Sequence, residues 1–159
     1  MSVLIQGSQL RALLLGVRVS KDTGVVVNGD DALFTVATGR VLVTSLLGTV
    51  TVVIGATISN AKLTYDPTAT GTSFDLCTAV AITSDAVKQT YYIAGNVGTP
   101  GALLVAGTVG QSNPVLAQPL CLEPGSILQT LSADPVGGEI NWTLTYIPLD
   151  DGATVTAAA

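Results

Sequence analysis

The chain of 159 residues has a mass of 16.0 kDa, which suits one domain built around a single core. Only 11% of its residues are charged and 48% are hydrophobic, so intrinsic disorder is excluded. A net charge of -5 argues against nucleic-acid binding, and the absence of histidine removes the commonest general base and metal ligand. We therefore expect a non-enzymatic protein with no catalytic residues, no cofactor and no metal.

Residues 1–20 are predicted to form an N-terminal arm or an edge strand. Four apolar residues alternate along this segment, which favours a strand: Leu13, Leu15, Val17 and Val19. A helical spacing of the leucines is the alternative. Arg11 and Arg18 interrupt the apolar stretch and no charged region precedes it, so we expect no signal peptide and synthesis in the cytoplasm.

Residues 21–152 are predicted to form one β-sandwich domain, in which apolar and threonine-rich runs alternate with Gly, Pro, Asn and Asp. The first two strands, Val25–Val27 and Ala32–Val36, are expected to form a hairpin around Asn28-Gly29. Strands Arg40–Leu47 and Val50–Ile58 follow. The charge-free run at residues 41–61 is long enough to cross a bilayer, but its β-branched content and two-residue period favour strands, so we expect no membrane contact.

Between these and the last strand, residues 74–82 alternate, with Phe74, Leu76, Val80 and Ile82 on one face. The other predicted strands before the last one are Ala61–Tyr65, Thr90–Ala94, Ala102–Ala106, Val115–Leu122 and Ser126–Ala133. The last, Glu139–Ile147, alternates over its whole length, so Ile140, Trp142, Leu144 and Tyr146 should face the core. Residues 153–159 read as a small-residue tail, mobile unless a partner holds it. The pattern predicts an all-β fold, an antiparallel β-sandwich resembling a jelly roll.

Side chains able to carry chemistry are few and scattered. The acidic pairs at residues 30–31 and 150–151 fall in predicted turns, where we expect them to be solvated. A carbohydrate-active enzyme on a jelly-roll frame would need two carboxylates that converge on one cleft, and it is the least favoured alternative. Cys77 and Cys121 lack metal-binding spacing and are expected to be buried free thiols rather than a disulfide.

The scarcity of charge predicts that neighbouring molecules cover part of the surface. Seventeen charged residues are spread over a folded surface of roughly 7,400 Å². So low a density of charge protects the sheet edges poorly against pairing with other chains. Residues 1–40 hold four basic and three acidic side chains, whereas the rest of the chain holds two and eight. The candidate interface residues are therefore Arg11, Leu13, Leu15, Arg18 and Arg40. Alternatively, the basic residues only solvate a sheet edge.

Two long segments carry a resemblance to a known family. GRVLVTSLLGTVTVVIGATISNAKL and GSILQTLSADPVGGEINWTLTYIPLDDGATV resemble small β-rich virion proteins that tailed bacteriophages encode near their capsid genes. The likeness covers residues 36–155 and depends on strand texture, on the strand from Trp142 to Tyr146 and on its PLDDG ending. The first 20 residues lie outside it.

The resemblance implies a capsid decoration, or cement, protein without enzymatic activity, bound to the exterior of the virion head. Such a protein associates with itself, as a trimer or dimer, and binds a major capsid protein. A tail or fibre component that binds a host surface is the alternative.

Overall fold

The computed structural model describes residues 15–69, 71–94, 101, 103–105 and 116–159. Twelve strands lie in these residues and form two antiparallel sheets that pack together around one core. The strands are β1 Val17–Val25, β2 Gly29–Ala37, β3 Val41–Val52, β4 Asn60–Pro67, β5 Phe74–Asp75, β6 Val80–Ala81, β7 Thr90–Tyr92, β8 Leu104–Val105, β9 Leu120–Leu122, β10 Gly125–Leu131, β11 Glu139–Pro148 and β12 Thr154–Ala157. The predicted all-β sandwich is confirmed.

The first sheet has the order β1-β11-β3-β7-β8, and β9 pairs with the first three residues of β3. The second sheet has the order β12-β2-β10-β4-β5, and β6 pairs with β4. Strand β1 lies at the edge of the first sheet, so the edge-strand interpretation holds for residues 17–20. The strand continues to Val25, beyond the predicted boundary at residue 20, and Val26 and Val27 of the predicted next strand lie outside any strand. Of the predicted strands at Ala102–Ala106 and Val115–Leu122, the described residues form β8 and β9, whereas Ala102, Ala106 and Val115 lie outside the described residues.

The core is centred on β11, whose predicted alternation is confirmed because its four inward side chains are all buried. The Trp142 indole Nε1 donates a hydrogen bond of 2.7 Å to Gln129 Oε1, which lies on β10 of the opposite sheet. The indole ring lies directly over Gly48, where a Cβ atom would come within 2.9 Å of the ring carbons. One fully buried indole therefore fills the space between the sheets and links them through a polar bond.

The predicted hairpin around Asn28-Gly29 is wrong, because β1 and β2 belong to different sheets. Gly29 adopts a positive φ of 101°, as the turn prediction required, but Asn28 does not have a positive φ. Val26 is buried, and its N–H donates a 3.0 Å bond to the carbonyl of Gly138. Burial of this valine leads the chain from one layer to the other, so the turn connects two sheets instead of two neighbouring strands.

The two strands predicted at Arg40–Leu47 and Val50–Ile58 are one strand, β3, which ends at Val52. Gly48 does not interrupt it, since the missing side chain makes room for the indole. Alternating burial ends at Val50: Ile54 is buried, but Val52 and Ile58, which share its face in a regular strand, are exposed. Beyond the end of β3, the Gly55 N–H donates to the carbonyl of Gly137.

The tail predicted at residues 153–159 is also different in the structure. Residues Thr154–Ala157 form β12, which pairs with β2 in the register Val155 to Val36. Both of these valines are buried. The segment is held by a ladder of backbone hydrogen bonds to its own chain because Val155 has an apolar site to fill.

Candidate docking surfaces

The structure describes three of the five candidate interface residues, while Arg11 and Leu13 lie outside the described residues. Leu15 precedes β1 and is 68% exposed. Arg18 is exposed on the outer face of β1, and its guanidinium lies 3.4 Å from Thr143 Oγ1 on β11. Arg40 occupies the turn between β2 and β3. All three therefore have solvent-exposed positions in this chain.

Leu15 and Arg18 are brought together, whereas Arg40 is not among the residues around them. Leu15, Gly16, Arg18 and Thr145 line a shallow depression of about 440 Å³ on the outer surface. Gly16 has a φ of 87°, and a Cβ atom there would lie 2.6 Å from the carbonyl oxygen of Tyr146. Glycine is required at this position because the chain passes so close to β11.

Arg40 is held by a bidentate ion pair with Asp150. Its Nε and Nη2 groups donate to the two carboxylate oxygens at 3.0 and 2.9 Å, and its backbone N–H donates to Oδ2 at 2.8 Å. These hydrogen bonds hold the pKa of Asp150 at about 2, and the same pair raises the pKa of Arg40. The pair joins the β2–β3 turn to the β11–β12 turn, so much of the Arg40 charge is already neutralised within the chain.

Four exposed apolar side chains lie at the end of the sandwich where Arg40 sits, which we call the arginine end. They are Leu15, Phe74, Ile147 and Leu149. Backbone pairing places them there: Leu149 N–H donates to the Arg40 carbonyl, and Phe74 pairs with Tyr65 near the end of β4. Their exposed fractions add up to about two complete side chains.

The opposite end of the sandwich carries a larger exposed apolar surface, which the sequence analysis missed. We call it the valine end, and it consists of Val25, Val27, Val52, Val53, Ile58, Val87 and Val136. Their exposed fractions add up to about four complete side chains. Covering them is worth about 6–12 kcal/mol at roughly 1.5–3 kcal/mol for each side chain fully buried.

Backbone contacts bring the separate segments of the valine end together. Val25 of β1 and Val52 of β3 flank Glu139 in the first sheet. Ile54 N–H donates to the Asp85 carbonyl, and Ser59 Oγ donates to the carbonyl of Ala133. The valine end is built from four segments that are far apart in sequence, at residues 25–27, 52–58, 87 and 136. The sequence contained one local sign of exposed apolar surface, which is the valine within the turn Asp-Pro-Val-Gly-Gly at residues 134–138.

Val136 has an unfavourable backbone conformation for its residue type. Its φ is 60°, in the left-handed region that glycine and asparagine tolerate and β-branched residues avoid. The side chain is 77% exposed, and its N–H donates a 2.7 Å bond to Asp134 Oδ1. Packing among the described residues does not explain an apolar side chain at this place.

Few charged groups surround the valine end. Lys88 and Asp134 are exposed, and Glu139 is half-buried. The Asp85 carboxylate points toward the core, where it accepts a 2.6 Å bond from the hydroxyl of Tyr91. Burial of the hydroxyl, and to a smaller extent its hydrogen bond to Asp85, raises the pKa of Tyr91. Two more exposed carboxylates, Asp22 of β1 and Asp30 of β2, lie on the strand ends next to Val25 and Val27.

Chemistry of other kinds has little basis in the described part of the chain. No three His, Cys, Asp or Glu side chains in the described ranges come together as a metal site would require. The acidic pair at residues 30–31 belongs to β2, not to a turn as predicted, and Asp30 accepts a hydrogen bond from Thr130. Both cysteines are free, as expected; Cys77 is buried, but Cys121 is exposed, contrary to the prediction.

None of the helical structure among the described residues is long and apolar enough to cross a bilayer. Comparison with family models, curated proteins and solved structures found no match for this chain.

Proposed function

We propose that this chain is a structural virion protein, a bacteriophage capsid decoration protein that associates with itself and stabilises the head by bridging neighbouring capsid subunits. The observation that carries the proposal is the concentration of exposed apolar side chains at two opposite ends of a charge-poor sandwich. A bridging protein needs two separate contact surfaces, and surfaces of this kind become stable when neighbours cover them.

We also infer a jelly-roll order, which supports the same proposal. Eight strands remain when the short strands β6, β8 and β9 and the C-terminal β12 are set aside. The first four of these eight pair with the last four in reverse order. The pairs are β1 with β11, β2 with β10, β3 with β7 and β4 with β5, and successive pairs alternate between the sheets. A double ribbon wound in this way forms two Greek keys. Jelly rolls occur in viral shells and in lectins, so the order supports a virion role by analogy only.

Stabilisation of a shell follows from mass action. A protein that binds only the assembled shell lowers the free energy of that state by an amount that grows with its concentration over its dissociation constant. We assign contact with the capsid to the arginine end, because it carries Leu15, Arg18 and Arg40. Its exposed apolar surface, equivalent to about two side chains, is worth about 3–6 kcal/mol when covered.

Retention on heads tests the proposal. Purified chain is added to heads of the phage that encodes it, stripped of this protein, and the bound fraction is measured after sedimentation. Deletion of residues 1–14 leaves β1 intact, and Leu15→Asp changes one exposed side chain at the depression beside it. We expect both variants to be retained less than the wild type. Thr156→Asp is the matched control, since it adds the same charge at an exposed position of β12.

The number of copies in each particle separates this proposal from its alternative. Hundreds of copies per particle support decoration of the head, whereas a few dozen or fewer support a tail or fibre component. The proposal is wrong if purified particles lack the chain or if Leu15→Asp and the wild type are retained equally.

A further inference from the structure

We propose that the valine end is the surface through which a second copy of this chain associates. The inference deepens the proposed function, since it names the place of self-association, but it depends on a separate set of residues. The described candidate residues from the sequence, Leu15, Arg18 and Arg40, lie at the opposite end of the sandwich.

The exposed area agrees with what a stable contact needs. About four complete aliphatic side chains correspond to roughly 250–500 Å² of apolar surface in each copy. A standard interface takes about 800 Å² from each partner, of which somewhat more than half is apolar. The arginine end exposes about half as much apolar surface as the valine end. The valine end is therefore the better match to one half of a specific interface.

The backbone at the valine end favours a binding role over a purely structural one. Of the four described non-glycine residues with positive φ, Ser84, Lys88 and Val136 lie at this end, and Val136 has the one wholly apolar side chain among the four. Its neighbours Gly137 and Gly138 also have positive φ values, of 114° and 111°, but glycine adopts them without strain because it has no Cβ atom. A strained residue that presents a bare isopropyl group to solvent costs folding free energy, and contact with another surface offsets this cost.

Charge at the rim favours a second copy over a strongly charged partner. Lys88 supplies a positive group, and the carboxylates of Asp134 and Glu139, with those of Asp22 and Asp30 beside them, supply negative groups. In a two-fold contact, a group at one position faces a different position of the other copy, so a rim that contains both signs is able to complement itself. The seven side chains at the centre carry no charge, as in the cores of protein interfaces.

Sedimentation equilibrium of the purified full chain and two variants tests the inference. Val136→Asn removes the apolar side chain and suits positive φ better, so the variant should fold at least as stably as the wild type. Ile58→Thr shortens a side chain that is 76% exposed. We expect concentration-dependent association of the wild type and a dissociation constant at least about tenfold higher for each variant. Leu149→Asn, at the arginine end, is the control and should associate like the wild type.

Two results would overturn the inference: a wild-type chain that stays monomeric at millimolar concentration, or a Val136→Asn, Ile58→Thr double variant that associates as tightly as the wild type. Thermal unfolding of each variant, monitored by circular dichroism, verifies that association is compared between folded chains. If particles lack the chain while association still depends on the valine end, the proposed function fails and this inference stands. If heads contain the chain and the variants associate normally, the inference alone fails.

Discussion

The hydrogen bond between Trp142 and Gln129 offers the sharpest test of how the two sheets are coupled. Gln129→Leu removes the acceptor and leaves the indole N–H buried without its partner, which costs about 1–3 kcal/mol of unfolding free energy. For a chain of this length each kcal/mol lowers Tm by about 2–4 °C. We therefore expect Tm to fall by about 2–12 °C.

Trp142→Phe provides the second arm of a double-mutant cycle. It removes the donor and part of the ring volume, and it leaves the amide oxygen of Gln129 buried among apolar side chains. The double variant retains neither polar atom, so its destabilisation should be smaller than the sum of the two single effects by about 1–3 kcal/mol.

Urea unfolding followed by far-ultraviolet circular dichroism measures all four proteins, because Trp142→Phe removes the only tryptophan and with it the fluorescence signal. Ser126→Thr, on the outer face of β10, should change stability by no more than about 0.5 kcal/mol. Strict additivity of the two single effects, or a Gln129→Leu variant as stable as the wild type, would refute this account of the core.

Three further measurements test other parts of the structure. Gly48→Ala places a methyl group against the indole ring, so it should destabilise the fold by about 1–3 kcal/mol in thermal unfolding. The pKa of Asp150 is about 2 instead of 3.8, so its pairing with Arg40 stabilises the fold above pH 3.8. This contribution is lost as the pH falls toward 2. In Arg40→Gln the urea midpoint should therefore depend less on pH between 3.8 and 2 than it does in the wild type. Burial raises the pKa of Cys77 to about 11, so a thiol reagent at pH 8 should modify only Cys121 in the folded chain and both thiols in urea; two fast-reacting thiols in the folded chain would contradict this.

Local sequence determined the features that depend on side-chain period and composition. The two-residue alternation of β11 predicted its four core side chains correctly, because a strand with one buried face must place an apolar residue at every second position. The shortage of charge likewise predicted exposed apolar surface before any fold was known. Neither feature needs information about which strand lies beside which.

Tertiary structure alone decided the order of the strands and the location of the exposed surfaces. At the predicted Asn28-Gly29 turn only Gly29 adopts the positive φ that was expected, and burial of Val26 leads the chain into the other sheet. Strand β12 forms because β2 presents an open edge and an apolar site for Val155. The valine end and the Arg40–Asp150 pair join segments that are far apart in sequence. Such contacts depend on the shape of the whole core, and no local pattern records them.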